Sequence, residues 1–428
     1  MDGTRIIKAI RNGNIRQYVR DPFYSNSLFL MLSSAVAAII GLTFWIVAGQ
    51  FYSKADIGIM TVAISISGLI STISKLGLDQ SLIRFIPEGD KSSLFSTFII
   101  ITTALSTFFS ACAILIGLIW VDTTIPTNNL LLLIPLIILT TISTDICSAF
   151  TALRVSKYNV IHNILLSSRL ALIIPLSLLG SNGMLLSFIG AYLISIVISA
   201  PFLIKQGIAL TNINNSFLKK SLNFSIGSYA SGLLQVAPNL IMPMLVFATL
   251  GASSAADFYI VFSFISMLSI IPAACNTSLF VEGSHGASLL SSVKKTILTM
   301  IALLTLASAT IFFFGDIFLG LVGKDYTMSG LGLLRLMAMS SFPVAIFGTC
   351  IAILKTKNRL RPLILLSGGN CITLLSSSYM LSLYVGLNGI GYAWIMSHAI
   401  SSIVGIWLVV AALGAPQLNR NPRNILVK

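Results

Sequence analysis

The stretch 160–204, VIHNILLSSRLALIIPLSLLGSNGMLLSFIGAYLISIVISAPFLI, decides what kind of protein this chain builds. It holds two apolar runs, 160–180 and 183–204, whose one charged residue is Arg169. A helix rises about 1.5 Å per residue, so roughly 20 apolar residues cross a hydrocarbon core of about 30 Å. Each run has that length. Between them stand only Gly180, Ser181, Asn182 and Gly183, and Gly and Asn tolerate the positive φ of a tight turn. The stretch therefore reads as two membrane-spanning helices folded back on each other.

The same pattern extends over the whole chain. Of its 428 residues 56% are hydrophobic and 9% charged, and the mean hydropathy is +0.96, outside the usage of soluble domains. Apolar windows lie at 27–50, 57–79, 94–121, 129–152, 160–180, 183–204, 221–249, 257–279, 296–319, 330–354, 362–385 and 389–413. The expected fold class is thus all-α, a polytopic membrane protein of about twelve spans with no soluble domain. A second tight hairpin is expected at Gly386 to Gly389. Pro175, Pro238, Pro272 and Pro343 fall inside spans and predict kinks.

Charge placement tests that count, because cytoplasmic loops carry excess Lys and Arg. With the N-terminus inside, 22 of the 26 basic residues fall on inner segments, Lys54 and Lys324 on outer loops, and Arg169 and Arg335 within spans. Both termini are therefore expected in the cytoplasm, with the chain in the plasma membrane. The net charge of +14 becomes a topology signal rather than a sign of nucleic-acid binding. The basic stretch Ile6 to Val19 suits an amphipathic helix on anionic membrane lipids. The N-terminus lacks the short apolar core and cleavage site of a signal peptide, so the first span is expected to be retained. Cys112, Cys147, Cys275, Cys350 and Cys371 sit in apolar spans without paired spacing and read as packing residues.

An internal repeat is visible. Ser53, Ala55 and Asp56 recur 201 residues later as Ser254, Ala256 and Asp257, in the outer turn before the second helix of each half. Leu153 and Arg154 recur at the same shift as Leu354 and Lys355. Gly180, Asn182 and Gly183 recur at a shift of 206 as Gly386, Asn388 and Gly389. The expected organisation is a basic segment 1–26, a lobe 27–205, a linker 206–220, a second six-helix lobe 221–413 and a tail 414–428. Six is even, so the lobes should be related by an axis along the membrane normal.

Catalytic constellations are scarce. His162, His285 and His398 have no metal-binding spacing, Gly323 and Lys324 fail the phosphate-loop pattern, and nothing calls for a cofactor. The outer loops are short for a membrane enzyme of glycan assembly. With no nucleotide-binding domain, transport would draw on a Na⁺ or H⁺ gradient, the membrane potential or the substrate's own gradient.

The segment 51–91, FYSKADIGIMTVAISISGLISTISKLGLDQSLIRFIPEGDK, resembles the corresponding stretch of polysaccharide-biosynthesis (Wzx-type) oligosaccharide flippases. The likeness lies in the outer Tyr-Ser-x-x-Asp-x-Gly turn, in Gly-Leu-Asp-Gln at the inner end and in Ile-Arg-Phe-Ile-Pro-Glu beyond it. It implies a multidrug/oligosaccharidyl-lipid/polysaccharide exporter fold. It further implies transport of polyprenyl-diphosphate-linked oligosaccharide to the outer leaflet by alternating access of two lobes. An ion-coupled multidrug exporter of the same fold is the alternative, disfavoured because Asp145 is the one acidic residue well inside a span.

Ionisable residues in spans are candidates for function. Their excess of basic groups suits a diphosphate, which guanidinium groups bind bidentately. Arg169 and Asp145 lie on adjacent helices at comparable depth, so Arg169 either binds an anion or pairs with Asp145 as its charge partner. Lys75 either snorkels or lines a cavity, and Arg84 is either a loop residue or a catcher of head groups. Arg335 either meets Asp325 or faces the cavity. The seventh span offers Ser225, Ser228, Tyr229, Ser231, Gln235 and Asn239, several on one face, which suits sugar hydroxyls or ordinary helix packing. His398 reads as a packing residue more readily than a proton relay.

Overall fold

The computed structural model describes residues 22–87, 89–120, 127–276, 289–357 and 359–414. The basic stretch Ile6 to Val19, His285 and the tail beyond Gly414 lie outside the described residues, as do the side chains of Ser225 and Ser228. Among the described residues the regular structure is helical, without strands. Eleven helices among the described residues are long and apolar enough to cross a membrane.

The helices are α1 (Pro22–Phe51), α2 (Lys54–Ser74), α3 (Leu78–Phe85), α4 (Lys91–Trp120), α5 (Thr127–Ala152), α6 (Lys157–Leu166), α7 (Ser168–Ile173) and α8 (Ser181–Lys205). There follow α9 (Asn215–Leu250), α10 (Ala252–Leu268), α11 (Leu289–Gly320), α12 (Lys324–Thr356), α13 (Leu360–Val385) and α14 (Leu387–Gly414).

The fifth expected span, 160–180, is not one helix. It is divided into α6, α7 and a 3₁₀ turn at Ser177–Leu179. Two residues explain the breaks. The Ser167 hydroxyl donates to the Ile164 carbonyl, where its own backbone N–H also bonds at 2.9 Å, tightening the turn. Pro175 has no N–H to offer the Ala171 carbonyl, and its ring crowds that carbonyl. Pro272 acts in the same way on Leu268, the last residue of α10, and helix resumes over residues 270–276. At Pro238 and Pro343 the helices run on unbroken. The second span is shorter than the window 57–79: Leu76 (φ 48) and Gly77 (φ 76) reverse the chain after Lys75 and start the short helix α3.

The repeat is explicit in the two hairpins. Gly180 has φ 55, ψ −138 and Gly386 has φ 66, ψ −144, a region open mainly to glycine. Gly183 and Gly389 fill the second matching position, where a Cβ would stand 1.9 Å from the Leu176 carbonyl oxygen and 2.1 Å from that of Leu381. At the other matched turn the halves differ. Ser53 caps α2, accepting from the Asp56 N–H at 3.1 Å, whereas Ser254 lies inside α10, which begins right after Gly251 (φ 85).

Helices α1–α8 pack mainly among themselves, as do α9–α14, and the two groups meet where α2 lies along α9 and α10, α1 touches α10, and the start of α9 touches α3 and α4. The apolar cores show how they meet. At the end bearing Lys54, one cluster runs across both groups, from Phe44, Trp45 and Met60 to Phe258, Leu333 and Trp394. At the other end, which carries Lys75, Lys205, Lys355 and Arg359 and is called here the basic end, the core divides. One cluster centres on Leu82, Phe98 and Phe150 and the other on Ile351, Leu354 and Leu363.

The connection between the groups is bound to the first of them. Ser92 Oγ donates to the Gly207 carbonyl and accepts from the Ala209 N–H, both at 3.1 Å. Ser96 Oγ accepts from the Thr211 N–H at 2.8 Å, and Thr97 Oγ1 from the Asn214 N–H at 2.7 Å. The Asn214 side chain then caps α9 through the Phe217 N–H at 2.9 Å.

Candidate functional site

Where the core divides, a cavity opens. Its smaller part, about 530 Å³, lies between the groups, with Thr72, Lys75, Asp79 and Gln80 on one wall and Tyr229, Lys355, Arg359 and Leu363 on the other. Its larger part, about 680 Å³, penetrates the second group and is lined by Gln235, Asn239, Phe262, Asn276, Asn370, Trp394 and His398 among others. Lys355 lines both parts. The mouth is thus lined by Lys75, Lys355, Arg359 and Asp79, and among the described residues the chamber behind it has Lys355 as its one charged side chain.

Helical periodicity explains which residues arrive there. Along α12, Met337, Ser340, Val344, Ile351 and Lys355 fall on one face and line the chamber. Proline and the helix break bring Asn276 and Ala273 to the wall, since α10 ends at Leu268. The polar groups keep free hydrogen-bonding capacity. His398 Nδ1 donates to the Trp394 carbonyl at 2.9 Å, which fixes the tautomer and leaves Nε2 as an acceptor. The imidazole stacks on Trp394 with centroids 5.8 Å apart. Gln235 Nε2 donates to Ser231 and keeps its carbonyl oxygen as an acceptor. Asn276 accepts from Thr349 Oγ1 at 3.0 Å and, among the described residues, has no acceptor for its amide N–H donors.

Of the residues singled out in the sequence, Lys75, Tyr229, Gln235 and Asn239 stand on these walls. Tyr229 also donates its hydroxyl to the Ile73 carbonyl at 3.0 Å, joining α9 to the end of α2. Arg84 is exposed in the last turn of α3 and is not among the lining residues. Arg335 lies two residues before the chamber-lining Met337, about 200° away on the helix. It faces α11 instead and donates Nε to the Phe312 carbonyl at 3.3 Å, beside the non-helical Phe314. It meets neither the cavity nor Asp325.

The pairing of Arg169 with Asp145 is corrected. Among the described residues the single ion pair is Lys54–Asp257. The Arg169 guanidinium lies between the Phe44 ring (5.1 Å) and the Phe188 ring (4.9 Å), and its Nε is buried without a hydrogen bond. Asp145 faces Thr102 on α4. The break at Ser167 separates them: α6 packs on α5, while α7, which carries Arg169, packs on α8 and α1. Similar depth gave no information on azimuth.

Sequence reading left Lys355 and Arg359 among the loop charges and gave no role to Asn276 and Asn370. The repeat supplied a signal for Lys355, which matches Arg154 at the end of a fourth helix.

The end opposite the cavity is shut. Lys54 Nζ from α2 reaches Asp257 Oδ1 at 2.8 Å, Ser329 Oγ at 2.8 Å and the Asp325 carbonyl at 3.0 Å, and lies 4.5 Å from the Tyr326 ring centre. Beside it Gly58 packs so closely that a Cβ would stand 2.0 Å from the Ala252 carbonyl oxygen. Asp56, the repeat partner of Asp257, stays within its own group, accepting from the Ser181 N–H at 2.9 Å.

A two-part helical bundle, sealed at one face and hollow towards the other, defines a membrane transporter, and solved structures of that class share its fold. An inward-facing MATE family multidrug resistance transporter of the MOP superfamily superposes with a TM-score of 0.61 at 14% identity, covering 91% of this chain and 95% of that one. A MATE protein in complex with MaL6 gives 0.58 at 14% identity over 93% and 99%. An outward-facing MATE transporter gives 0.53 at 14% identity over 93% and 98%. The chain itself belongs to the polysaccharide biosynthesis protein family, which it matches over residues 23–280. Family and fold together make it a multi-pass membrane exporter or flippase, and bear out the resemblance read from segment 51–91. No curated protein matches the sequence.

Proposed function

We propose that the protein is a flippase that carries a polyprenyl-diphosphate-linked oligosaccharide from the cytoplasmic to the outer leaflet by alternating access. The observation that carries this reading is the division of labour in the cavity. Three cations from both groups, Lys75, Lys355 and Arg359, line the mouth with Asp79, and behind it lies a chamber of amides, hydroxyls and aromatic rings whose one charged side chain among the described residues is Lys355. A diphosphate needs the first and sugar hydroxyls the second. In this reading the basic end is cytoplasmic, both termini lie there, and the sealed Lys54 end faces outward in the plasma membrane. The lobes 27–205 and 221–413 rock about the 206–220 linker. Arg169, enclosed between Phe44 and Phe188, becomes a second phosphate contact when the lobes part.

A multidrug exporter is the competing reading, favoured by the MATE multidrug resistance transporters that share the fold. An organic cation would meet a mouth whose charge is predominantly positive, which opposes it. The test is reconstitution in vesicles with a fluorescent lipid-linked oligosaccharide and a fluorescent organic cation. Lys75→Ala, Lys355→Ala and Arg359→Ala should each slow movement of the former. Uptake of the organic cation alone would replace the flippase reading with that of a drug exporter.

A further inference from the structure

Asp145 on α5 has no accessible surface. Its Oδ2 lies 2.5 Å from Thr102 Oγ1 on α4, and its Oδ1 has no partner. Among the described residues no cation pairs with it, the one ion pair being Lys54–Asp257 at the far end of α2. Counting protons settles its state. The Thr102 hydroxyl has a single proton and three claims on it, the Phe98 carbonyl at 2.9 Å, the Ile99 carbonyl at 3.2 Å and the Asp145 carboxyl. With Asp145 ionised, that proton turns to the carboxylate, the Phe98 bond is lost, and Oδ1 shares a negative charge with neither donor nor cation beside it, in the membrane interior. That is the costliest arrangement available. With a proton on Oδ2, Asp145 donates to Thr102, Thr102 donates on to Phe98, and a neutral carbonyl oxygen is all that goes unpaired.

A metal cation fits poorly, because hard cations gather six or more oxygen ligands and the one side chain hydrogen-bonded to the carboxyl is Thr102. The titratable groups around the site are Lys75 from α2, Asp79 from α3, Cys147 on α5 itself and, from α6, His162. His162 is held between Ser143 (2.6 Å) and Ser199 (2.8 Å). At this level α4 brings the Thr102 hydroxyl. Lys75 and Asp79 are near enough to act on the carboxyl electrostatically, and both line the mouth of the cavity, so the buried carboxyl lies within electrostatic reach of groups that face the cavity at the basic end.

We propose that Asp145 is a proton-binding site, neutral while the basic-end cavity is open and ionised in the alternative arrangement of the lobes, where its carboxylate takes Lys75 as partner. The step releases one proton to cavity water and leaves the electrons of the O–H bond on the carboxylate. It makes H⁺ the coupling ion. The ionisation step rests on the alternating-access reading, but the protonated state does not.

Infrared spectroscopy of the wild-type protein in lipid vesicles tests it without any transport substrate. A protonated-carboxyl C=O band should be present at neutral pH, shift down in D₂O and vanish in Asp145→Asn. In Thr102→Val it should persist at higher frequency, since the O–H loses its acceptor. Raising the pH should also redistribute spin-label distances across the Lys54 end in the wild type and not in Asp145→Asn, which is locked neutral. A wild type without the band, a band surviving in Asp145→Asn, or a band removed by Na⁺ at constant pH would overturn the proposal. A failure of the flippase reading alone would leave the infrared result standing.

Discussion

Replacing Lys54 with Ala should open the sealed face. The side chain contributes three hydrogen bonds from a charged donor, two of them at 2.8 Å and one at 3.0 Å, and all three acceptors belong to the other group of helices. Removal strands the Asp257 carboxylate, whose side chain is 6% exposed, while that of Lys54 is 20% exposed. Breaking a buried pair by deleting one partner costs about 3–5 kcal/mol. Water already reaches part of the Lys54 side, so the loss here is about 2–3 kcal/mol. At 1.4 kcal/mol per decade this moves the balance between closed and open forms of the Lys54 face by roughly 30- to 150-fold. Spin labels at Phe51 and Leu321, exposed positions flanking the seam, in a background lacking the five cysteines, should report a new long-distance population by double electron–electron resonance. Adding Asp257→Ala should reverse part of the change, because no carboxylate is then left unpaired. An unchanged distance distribution in Lys54→Ala would refute the argument.

The hairpin glycines should be equivalent: Gly183→Ala and Gly389→Ala each force a Cβ into a carbonyl oxygen and should lower stability by about 1–3 kcal/mol, measured by thermal unfolding in detergent. Gly232→Ala, where nothing lies within 4 Å, should not destabilise the fold. Arg169→Ala and Asp145→Ala should show a coupling energy below about 0.5 kcal/mol in a double-mutant cycle, since the two side chains do not meet; a coupling of several kcal/mol would restore the ion pair. Tyr229→Phe deletes the hydroxyl bond to Ile73 and should cost about 1 kcal/mol, read as a lower unfolding midpoint with transport retained.

Spans were legible because hydropathy and length are one-dimensional properties, and so are the turn residues of the two hairpins. What sequence reading missed is angular. The windows 129–152 and 160–180 gave Asp145 and Arg169 the same height, but nothing in them fixed which way each side chain faces, and the competing Ser167 hydroxyl removed the helical register that would have carried one to the other. Arg335 failed for the same reason, since its distance from the end of the span says nothing of the 200° that separates it from Met337. Lys355 and Arg359 were hidden by a stronger signal: at the end of a span every cation satisfies the topological bias, so a cation that also lines a cavity looks no different. The Lys54–Asp257 pair joins residues 203 apart across a seam that no local pattern describes.

The hydroxyls of Ser92, Ser96 and Thr97 hold residues 207–214 along α4, and α9 starts at Asn215. Slack that a loop of this length would otherwise provide is taken up, and Phe217 at the start of α9 is buried with Phe85 in the first group's core, so in the proposed alternating access the joint between the halves lies within α9, beyond Phe217. In that reading the rest of α9, from Phe217 to Leu250, about 50 Å at 1.5 Å per residue, works as a lever with its fulcrum at the basic face. A small change of backbone angle there sweeps the far end of the lever through many ångströms, whereas the same change within the stapled segment would move nothing.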